Sequence, residues 1–367
     1  MRVHVLDPSS YTPPYDHALC RALGEAGVDV ELFTSRFDYG QAPEPRSYSR
    51  HEFFYRLSHS GTAAGARSRL RLLLKLGEHV PDMLRYRRRA KAAQVVHFQW
   101  LTLQPLDLHL LPSGRALVLT AHDVLPREPR PGQLRAQREL YRRMDAIVVH
   151  SQHGRRRLVD EFALDDDRVH VIPHGLLTPW EGLAEQSLPP VLDGVSGPVV
   201  LFFGLLRPYK GLDVLLEAWR GIEEAELWIV GMPRMDITAL REQAPHNVRF
   251  LPRFIADAQI PAFLKRASLV VLPYREIDQS GVLFTALGLG VPLLLSDAGG
   301  FPEVAEHGCA DIVAAGDVDA LRSALLGLLG DPARLSEMAA RAGELAQSQY
   351  SWKAIARAHL DLYEQLL

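Results

Sequence analysis

The chain reads as an α/β protein built from two doubly wound parallel-sheet domains. Short apolar or β-branched runs alternate with helix-length amphipathic stretches, a Pro/Gly/Ser-rich segment interrupts the alternation near the middle, and the alternation then restarts. Length agrees: 367 residues exceed one ordinary core and fit two domains of about 100–200 residues. With 47% hydrophobic and 23% charged residues the composition is that of a globular protein and excludes a disordered or fibrous chain.

In the first half, strand-like runs fall at 3–6, 28–33, 95–98, 117–120, 146–149 and 169–172, and helical patterns at 16–26, 68–92, 132–144 and 152–163. Residues 178–198 read as a linker. Strand-like runs resume at 199–203, 227–230, 248–251, 269–272 and 293–296. Ligands of such sheets bind beyond the carboxyl ends of the strands, so the turns after these runs are where chemistry is expected.

Two cysteines, Cys20 and Cys309, lie far apart without partners at metal-ligand spacing, so neither a disulfide framework nor a zinc site is expected. No apolar run approaches the roughly 20 residues of a membrane span, and the chain opens on a strand-like run rather than a signal peptide. A cytoplasmic protein is the expectation. Residues 1–180 hold 26 Lys+Arg against 20 Asp+Glu, whereas residues 181–367 hold 15 against 24. A basic first half and an acidic second half suit different partners.

Three turns of the second half carry the chemistry. After the run 199–203 comes Gly204-Leu205-Leu206-Arg207-Pro208-Tyr209-Lys210-Gly211, in which Gly204 permits close backbone approach and Arg207 and Lys210 bring two cations to one turn, suited to a diphosphate. Glycine, lysine and hydroxyl do not stand in the order of a Walker loop. After 269–272 comes Pro273-Tyr274-Arg275-Glu276-Ile277-Asp278-Gln279-Ser280-Gly281, with a helix opening near Val282. The N–H groups there suit a phosphate, and Glu276 and Asp278 suit sugar hydroxyls or ordinary capping. Asp297-Ala298-Gly299-Gly300-Phe301-Pro302-Glu303 forms the third turn.

With these residues the sequence resembles the retaining GT-B glycosyltransferases of family four over nearly its whole length. The matching stretches are the 204–211 turn, Gln279-Ser280-Gly281-Val282 with Gly290-Val291-Pro292, Gly299-Gly300-Phe301-Pro302-Glu303, the pair His122-Asp123 after a strand, and Val171-Ile172-Pro173-His174-Gly175. The resemblance implies two Rossmann-like domains facing a cleft: an acceptor-binding domain at 1–177, a linker at 178–198, a nucleotide-sugar domain at 199–349, and a terminal helix at 350–367 packing back on the first. It also implies sugar transfer from a nucleotide diphosphate sugar, UDP or GDP type, with retained anomeric configuration and neither metal nor other cofactor. Arg207 and Lys210 would hold the diphosphate, and the backbone of 280–282 the phosphate and sugar. His122 would sit against the donor sugar near the reacting centre, with Asp123 orienting its ring. One proposal for the family has the departing phosphate take the acceptor's proton.

Two departures stand against that pattern. The family's Glu-x7-Glu pair falls on Ile277 and Thr285; Glu276 or Asp278 replaces the first by a one-residue shift, and Thr285 leaves only a hydroxyl at the usual ribose contact. The usual amino-terminal Gly-Gly loop is replaced by Pro8-Ser9-Ser10-Tyr11-Thr12-Pro13-Pro14-Tyr15, which makes Tyr11 a candidate substrate contact. A noncatalytic sugar-nucleotide-binding partner and a GT-B sugar-nucleotide epimerase are the alternatives these departures admit.

Residues 67–91 carry nine Lys+Arg against two acids, with Leu70, Leu73, Leu74, Val80 and Leu84 at helical spacing. Two readings fit: an amphipathic helix packed on its own sheet, and peripheral contact with the inner face of an anionic membrane. Nucleic acid is not an expected partner, because the cluster lacks interleaved aromatics and a binding motif. Asp317-Val318-Asp319 resembles a metal-binding Asp-x-Asp but reads as a helix N-cap, and Asp165-Asp166-Asp167 as a turn. His170 and His174 fall among the structural histidines.

Overall fold

Two sheets, every strand parallel to its neighbours, organise the molecule, which is represented by a computed structural model describing residues 1–38, 42–58, 69–125 and 131–367, without the side chains of 69–72. The chain divides into two units, the first Met1–Gly175 with Trp352–Leu367, the second Leu176–Ser351.

The first unit contains β1 (Arg2–Asp7), α1 (Pro13–Glu25), β2 (Asp29–Ser35), β3 (Ser49–Phe54), α2 (Arg69–Arg89), β4 (Val95–Phe98), α3 (Gln104–Asp107), β5 (Ala116–Thr120), α4 (Gln133–Arg143), β6 (Ala146–Val149), α5 (Gln152–Phe162) and β7 (Val169–Val171). The second contains β8 (Val199–Phe203), α6 (Leu212–Trp219), β9 (Glu226–Val230), α7 (Thr238–Glu242), β10 (Val248–Leu251), α8 (Ile260–Arg266), β11 (Leu269–Leu272), α9 (Gly281–Leu287), β12 (Leu293–Ser296), α10 (Phe301–Ala305), β13 (Ala310–Val313), α11 (Val318–Leu329) and α12 (Pro332–Gln347). The final helix, α13 (Trp352–Gln365), belongs to the first unit.

Strand composition follows from this burial. Helices cover both faces of a parallel sheet, so central strands are apolar at nearly every position. β8 (VVLFF) and β11 (LVVL) are buried throughout. Helix starts are set by local chemistry: Ser151 Oγ accepts the Gly154 N–H at 3.1 Å at the head of α5, and Asp331 Oδ1 accepts that of Arg334 at 3.0 Å ahead of Pro332 in α12.

The sheet orders are β3-β2-β1-β4-β5-β6-β7 and β10-β9-β8-β11-β12-β13. The direction of winding reverses between β1 and β4 in the first and between β8 and β11 in the second. At such a reversal the flanking turns diverge and open a crevice. Two strands, β3 and β13, lie outside the runs read from the sequence, and both are sheet edges. β3 carries Arg50, His51 and Glu52 on a half-solvated edge, where the apolar signal of a central strand is absent.

Residues 176–198 form an irregular stretch fastened to the second unit: Gln186 N–H donates to the Ala258 carbonyl at 2.9 Å, and Arg266 Nη2 donates to the carbonyls of Val195 and Gly197 at 2.8 and 2.7 Å. In the first unit α13 seats Trp352 against Gly175, where a Cβ would come within 2.6 Å of the indole.

Candidate active site

In the second unit the three glycine-rich turns lie at the carboxyl ends of β8, β11 and β12 and interlock through missing side chains. A Cβ on Gly211 (φ +67°) would stand 2.1 Å from the Pro273 carbonyl oxygen, and one on Gly299 (φ +57°) would stand 1.7 Å from that of Ile277. Only glycine allows both the left-handed backbone and that approach. Arg275 ties the first turn to the second: its N–H donates to the Tyr209 carbonyl at 2.8 Å, and its guanidinium grips Asp213 of α6 at 2.8 and 2.5 Å. That fork holds the Asp213 carboxyl below its ordinary range.

Lys210 lies inside this assembly, only 7% exposed, with Nζ 4.8 Å from the centre of the Tyr274 ring. Its Nζ is 3.3 Å from where a Cβ on Gly204 would be, so the lysine head sits beside the first residue after β8. Arg207 is exposed on the same turn. The two acids of the second turn differ: Glu276 is exposed, whereas Asp278 is buried. Gln279 and Val282 are half-buried, Ser280 is buried and Gly281 exposed at the head of α9. The Thr285 hydroxyl donates to the Gly281 carbonyl of its own helix at 2.7 Å, so its hydrogen is already committed.

In the first unit the turns after β1 and β4 meet. Asp7 Oδ2 accepts the N–H groups of Tyr11 and Thr12, Trp100 Nε1 donates to Thr12 Oγ1 at 3.0 Å, and Ser9 Oγ lies 2.9 Å from Thr102 Oγ1. These bonds shape the loop from Pro8 to Tyr15. Beneath it Asp7 and Asp16 are both fully buried; burial, and then the Asp7 charge, pushes the Asp16 carboxyl well up. A cavity of about 620 Å³ opens along the turns after β4 and β5, its lining including Tyr11, Trp100, Gln104, His122, Asp123 and Gln133.

His122 is half-buried in a cage of rings. Trp100 stacks on it at 5.1 Å and 14°, and Tyr15 meets it edge-on at 4.8 Å. Its Nε2 lies 3.0 Å from Gln99 Oε1 and its Nδ1 3.2 Å from His150 Nε2. The partners that orient the ring are therefore Gln99 and His150; the expectation that Asp123 does so is corrected, because both ring nitrogens are occupied elsewhere. His174, assigned above to the structural class, packs 5.0 Å from His150 and 4.9 Å from Tyr15. Gln99, Trp100 and His150 escape sequence reading because no motif marks them. The hint available was their position, each immediately after an apolar strand.

Asp317 Oδ1 accepts the Ala320 N–H at 2.9 Å and caps α11, and Asp166 and Asp167 lie in the turn ahead of β7. Among the described residues no group of three or more His, Cys, Asp or Glu is placed to hold a metal. α2 turns Met83, Tyr86, His79 and Asp82 inward and leaves Leu73, Leu74, Leu76 and Leu84 exposed, with Arg85, Arg88 and Arg89 on the same outer side. Packing on its own sheet therefore does not use these four leucines. Residues 67–68 and the Leu70 side chain of this stretch lie outside the described residues.

Two doubly wound units, the second with a lysine-bearing, glycine-hinged turn at its winding reversal, have the architecture of the GT-B glycosyltransferase class. Residues 197–331 match the family "Glycosyl transferases group 1" and residues 15–178 match "Glycosyltransferase Family 4"; the chain belongs to this glycosyltransferase family. It is 28% identical over 243 residues to the GDP-mannose-dependent monoacylated alpha-(1-6)-phosphatidylinositol monomannoside mannosyltransferase of Corynebacterium glutamicum, covering 61% of this chain and 63% of that protein, less than two thirds of its length. It is 28% identical over 316 residues to the alpha-maltose-1-phosphate synthase of Mycolicibacterium smegmatis, covering 76% of this chain and 80% of the relative. Among solved structures, the sucrose-phosphate synthase of Thermosynechococcus elongatus superposes with a TM-score of 0.76 at 19% identity, over 100% of this chain and 99% of that one, which is a likeness of fold.

Proposed function

We propose that the protein transfers a sugar from a nucleotide diphosphate sugar, of UDP or GDP type, to a sugar or lipid-linked acceptor, with retained anomeric configuration and no metal or other cofactor. The observation that carries this reading is Lys210, buried beside Gly204 and over Tyr274 at the winding reversal of the second unit. In the reaction the bond from the sugar's anomeric carbon to the diphosphate oxygen breaks, and a bond to an acceptor oxygen forms on the same face. The acceptor's proton goes to the departing phosphate. Negative charge grows on the diphosphate, and a lysine held in a low-dielectric pocket stabilises it without reorganising. Arg207 adds a second, solvated cation, and the backbone of 280–282 offers N–H groups to the phosphate. Asp278, buried in the second turn, takes the place of the family's first glutamate in preference to the exposed Glu276.

The acceptor occupies the cavity of the first unit. Its aromatic walls, Tyr11 and Trp100, suit the C–H face of a sugar ring, and the amides of Gln104 and Gln133 suit hydroxyls. That the corynebacterial relative is named as GDP-mannose-dependent supports a GDP sugar as the first donor to try.

A specific observation favours peripheral attachment to an anionic membrane in the cytoplasm: the exposed leucines of α2 beside Arg85, Arg88 and Arg89. No helix among the described residues is long and apolar enough to cross a membrane.

The reading is tested by thermal shift against UDP-, GDP-, ADP- and dTDP-sugars, followed by transfer assays with glycoside acceptors. A ligand at 100 times its Kd adds about 2.7 kcal/mol of stability. A UDP or GDP sugar is expected to raise the Tm of wild type and to raise that of Lys210→Ala less; no shift with any donor in folded wild type would defeat the reading.

A further inference from the structure

Four neighbouring strands of the first unit each deliver, just past the carboxyl end, one member of a single hydrogen-bonded row. Gln99 follows β4, His122 follows β5, His150 follows β6, and the carbonyl of Ile172 follows β7. The contacts are 3.0 Å from Gln99 to His122 Nε2, 3.2 Å from His122 Nδ1 to His150 Nε2, and 3.0 Å from His150 Nδ1 to the Ile172 oxygen.

The protons of this row follow from its far end. A carbonyl oxygen only accepts, so His150 Nδ1 carries hydrogen. Burial pulls the His150 pKa down to about 4, which leaves the ring neutral at physiological pH and its Nε2 a bare acceptor. His122 Nδ1 is then the donor to it. Neutral His122 is the Nδ1–H tautomer, and an added proton would sit on Nε2, the nitrogen that faces Gln99.

A glutamine amide suits both states of that nitrogen. The structure sets its carbonyl Oε1 3.0 Å from Nε2, the orientation that accepts from Nε2–H or imidazolium; turned over, with its NH2 toward the ring, it donates to neutral Nδ1–H His122, and the proposed state requires that turn. The other end of the Gln99 side chain lies 3.3 Å from His97 Nε2, and His97 is held by Thr120 Oγ1 at 2.7 Å and the Tyr363 hydroxyl at 2.6 Å. His97 and these hydroxyls can each donate or accept, so a turn of the amide leaves none of them stranded.

We propose that Gln99 and His150 are positioning residues for His122: His150 sets its tautomer, Gln99 occupies Nε2 in either protonation state, and the pinned ring serves transfer as a rigid contact rather than as a base. The kinetic part of this proposal rests on the transferase reading above; the spectroscopic part does not. The titratable groups around His122 are Tyr15 from α1, His97 in β4, His150 after β6, His174 after β7, and Asp123 in its own turn. Burial first, and then the neighbouring imidazoles, hold His122 well below the usual histidine range.

The test uses the full chain with 15N-labelled histidine, its imidazole signals followed by NMR from pH 8 to 5.5. In wild type, His122 is expected to stay neutral as the Nδ1–H tautomer throughout. His150→Leu removes the acceptor and should turn His122 to the Nε2–H tautomer, donating to the Gln99 carbonyl. Gln99→Glu puts a carboxylate against Nε2 and should raise the His122 pKa by about 1–3, so that protonation sets in at a higher pH than in wild type. The same variant should lower kcat at least tenfold with donor KM little changed, and add a pH inflection that wild type lacks. Wild-type His122 found as the Nε2–H tautomer, or titrating between pH 5.5 and 8, would overturn the proposal, as would a Gln99→Glu protein in which His122 titrates as in wild type. Should wild type transfer no sugar from any donor, the transferase reading fails while the tautomer measurements still decide the positioning. If His150→Leu does not fold, Gln99→Glu and the wild-type tautomer carry the test.

Discussion

Nε2 of His150 lies 3.2 Å from Nδ1 of His122, joining two imidazoles that are 28 residues apart in the chain and one strand apart in the sheet. Gln99 Oε1 lies 3.0 Å from the opposite nitrogen, so both ring nitrogens have a partner inside the protein. In the tautomer proposed above, His122 would offer a substrate a fixed position rather than a mobile proton.

His122→Ala is expected to lower transfer far more than nucleotide binding, because His122 belongs to the first unit and the proposed nucleotide site to the second. Isothermal titration with the free nucleoside diphosphate checks this. A drop of tenfold or more in that affinity would contradict the assignment.

Lys210→Ala is expected to reduce kcat by about 100–1000-fold, the usual loss for one preorganised contact to developing charge. Arg207→Ala should also reduce turnover, but less, since an exposed cation acts through water. Equal activity of wild type and Lys210→Ala in a donor-saturated assay would remove the diphosphate assignment.

Thr285→Ala should change kcat/KM by less than about tenfold, the worth of one neutral hydrogen bond. The Thr285 hydroxyl donates to the Gly281 carbonyl, which leaves a ribose no hydrogen from it while that bond stands. Abolished transfer with an intact circular dichroism spectrum would require a role at the reacting centre.

Asp16→Asn should stabilise the protein at neutral pH and do little near pH 4. Burial, then the charge of Asp7, raises the folded-state pKa of Asp16 above the unfolded value of about 3.9. A group raised in this sense contributes stability below its unfolded pKa and loses it as pH climbs through the folded one. Melting curves from pH 4 to 8 should show the variant's advantage growing with pH; an advantage that shrinks with pH would refute the sign.

Replacing Arg85, Arg88 and Arg89 with Gln, or Leu73 and Leu84 with Ser, should weaken cosedimentation with vesicles containing anionic lipid. The arginine effect should fade in high salt, each basic residue contributing about 1 kcal/mol at most. Binding unchanged by both sets would leave the exposed leucines of α2 without this role.

Much of the fold was legible because central parallel strands are apolar on both faces, and helices between them keep one apolar side. β3 and β13 were missed for the converse reason: an edge strand is half-solvated and its composition blurs into loop. The turn from Gly204 to Gly211 was legible as a turn, since a glycine directly after an apolar run marks the end of a strand.

The amino-acid sequence by itself determined the two-domain α/β architecture, the family and the basic turn, all of which depend on residues near one another in the chain. Tertiary structure alone decided which acid of the second turn is buried, that the Thr285 hydroxyl is spent within its helix, and that Gln99, His122 and His150 form one row. Strand order brings those three together: β4, β5 and β6 lie side by side, and hydrogen bonds form between residues that are neighbours in the sheet, whatever their separation along the chain.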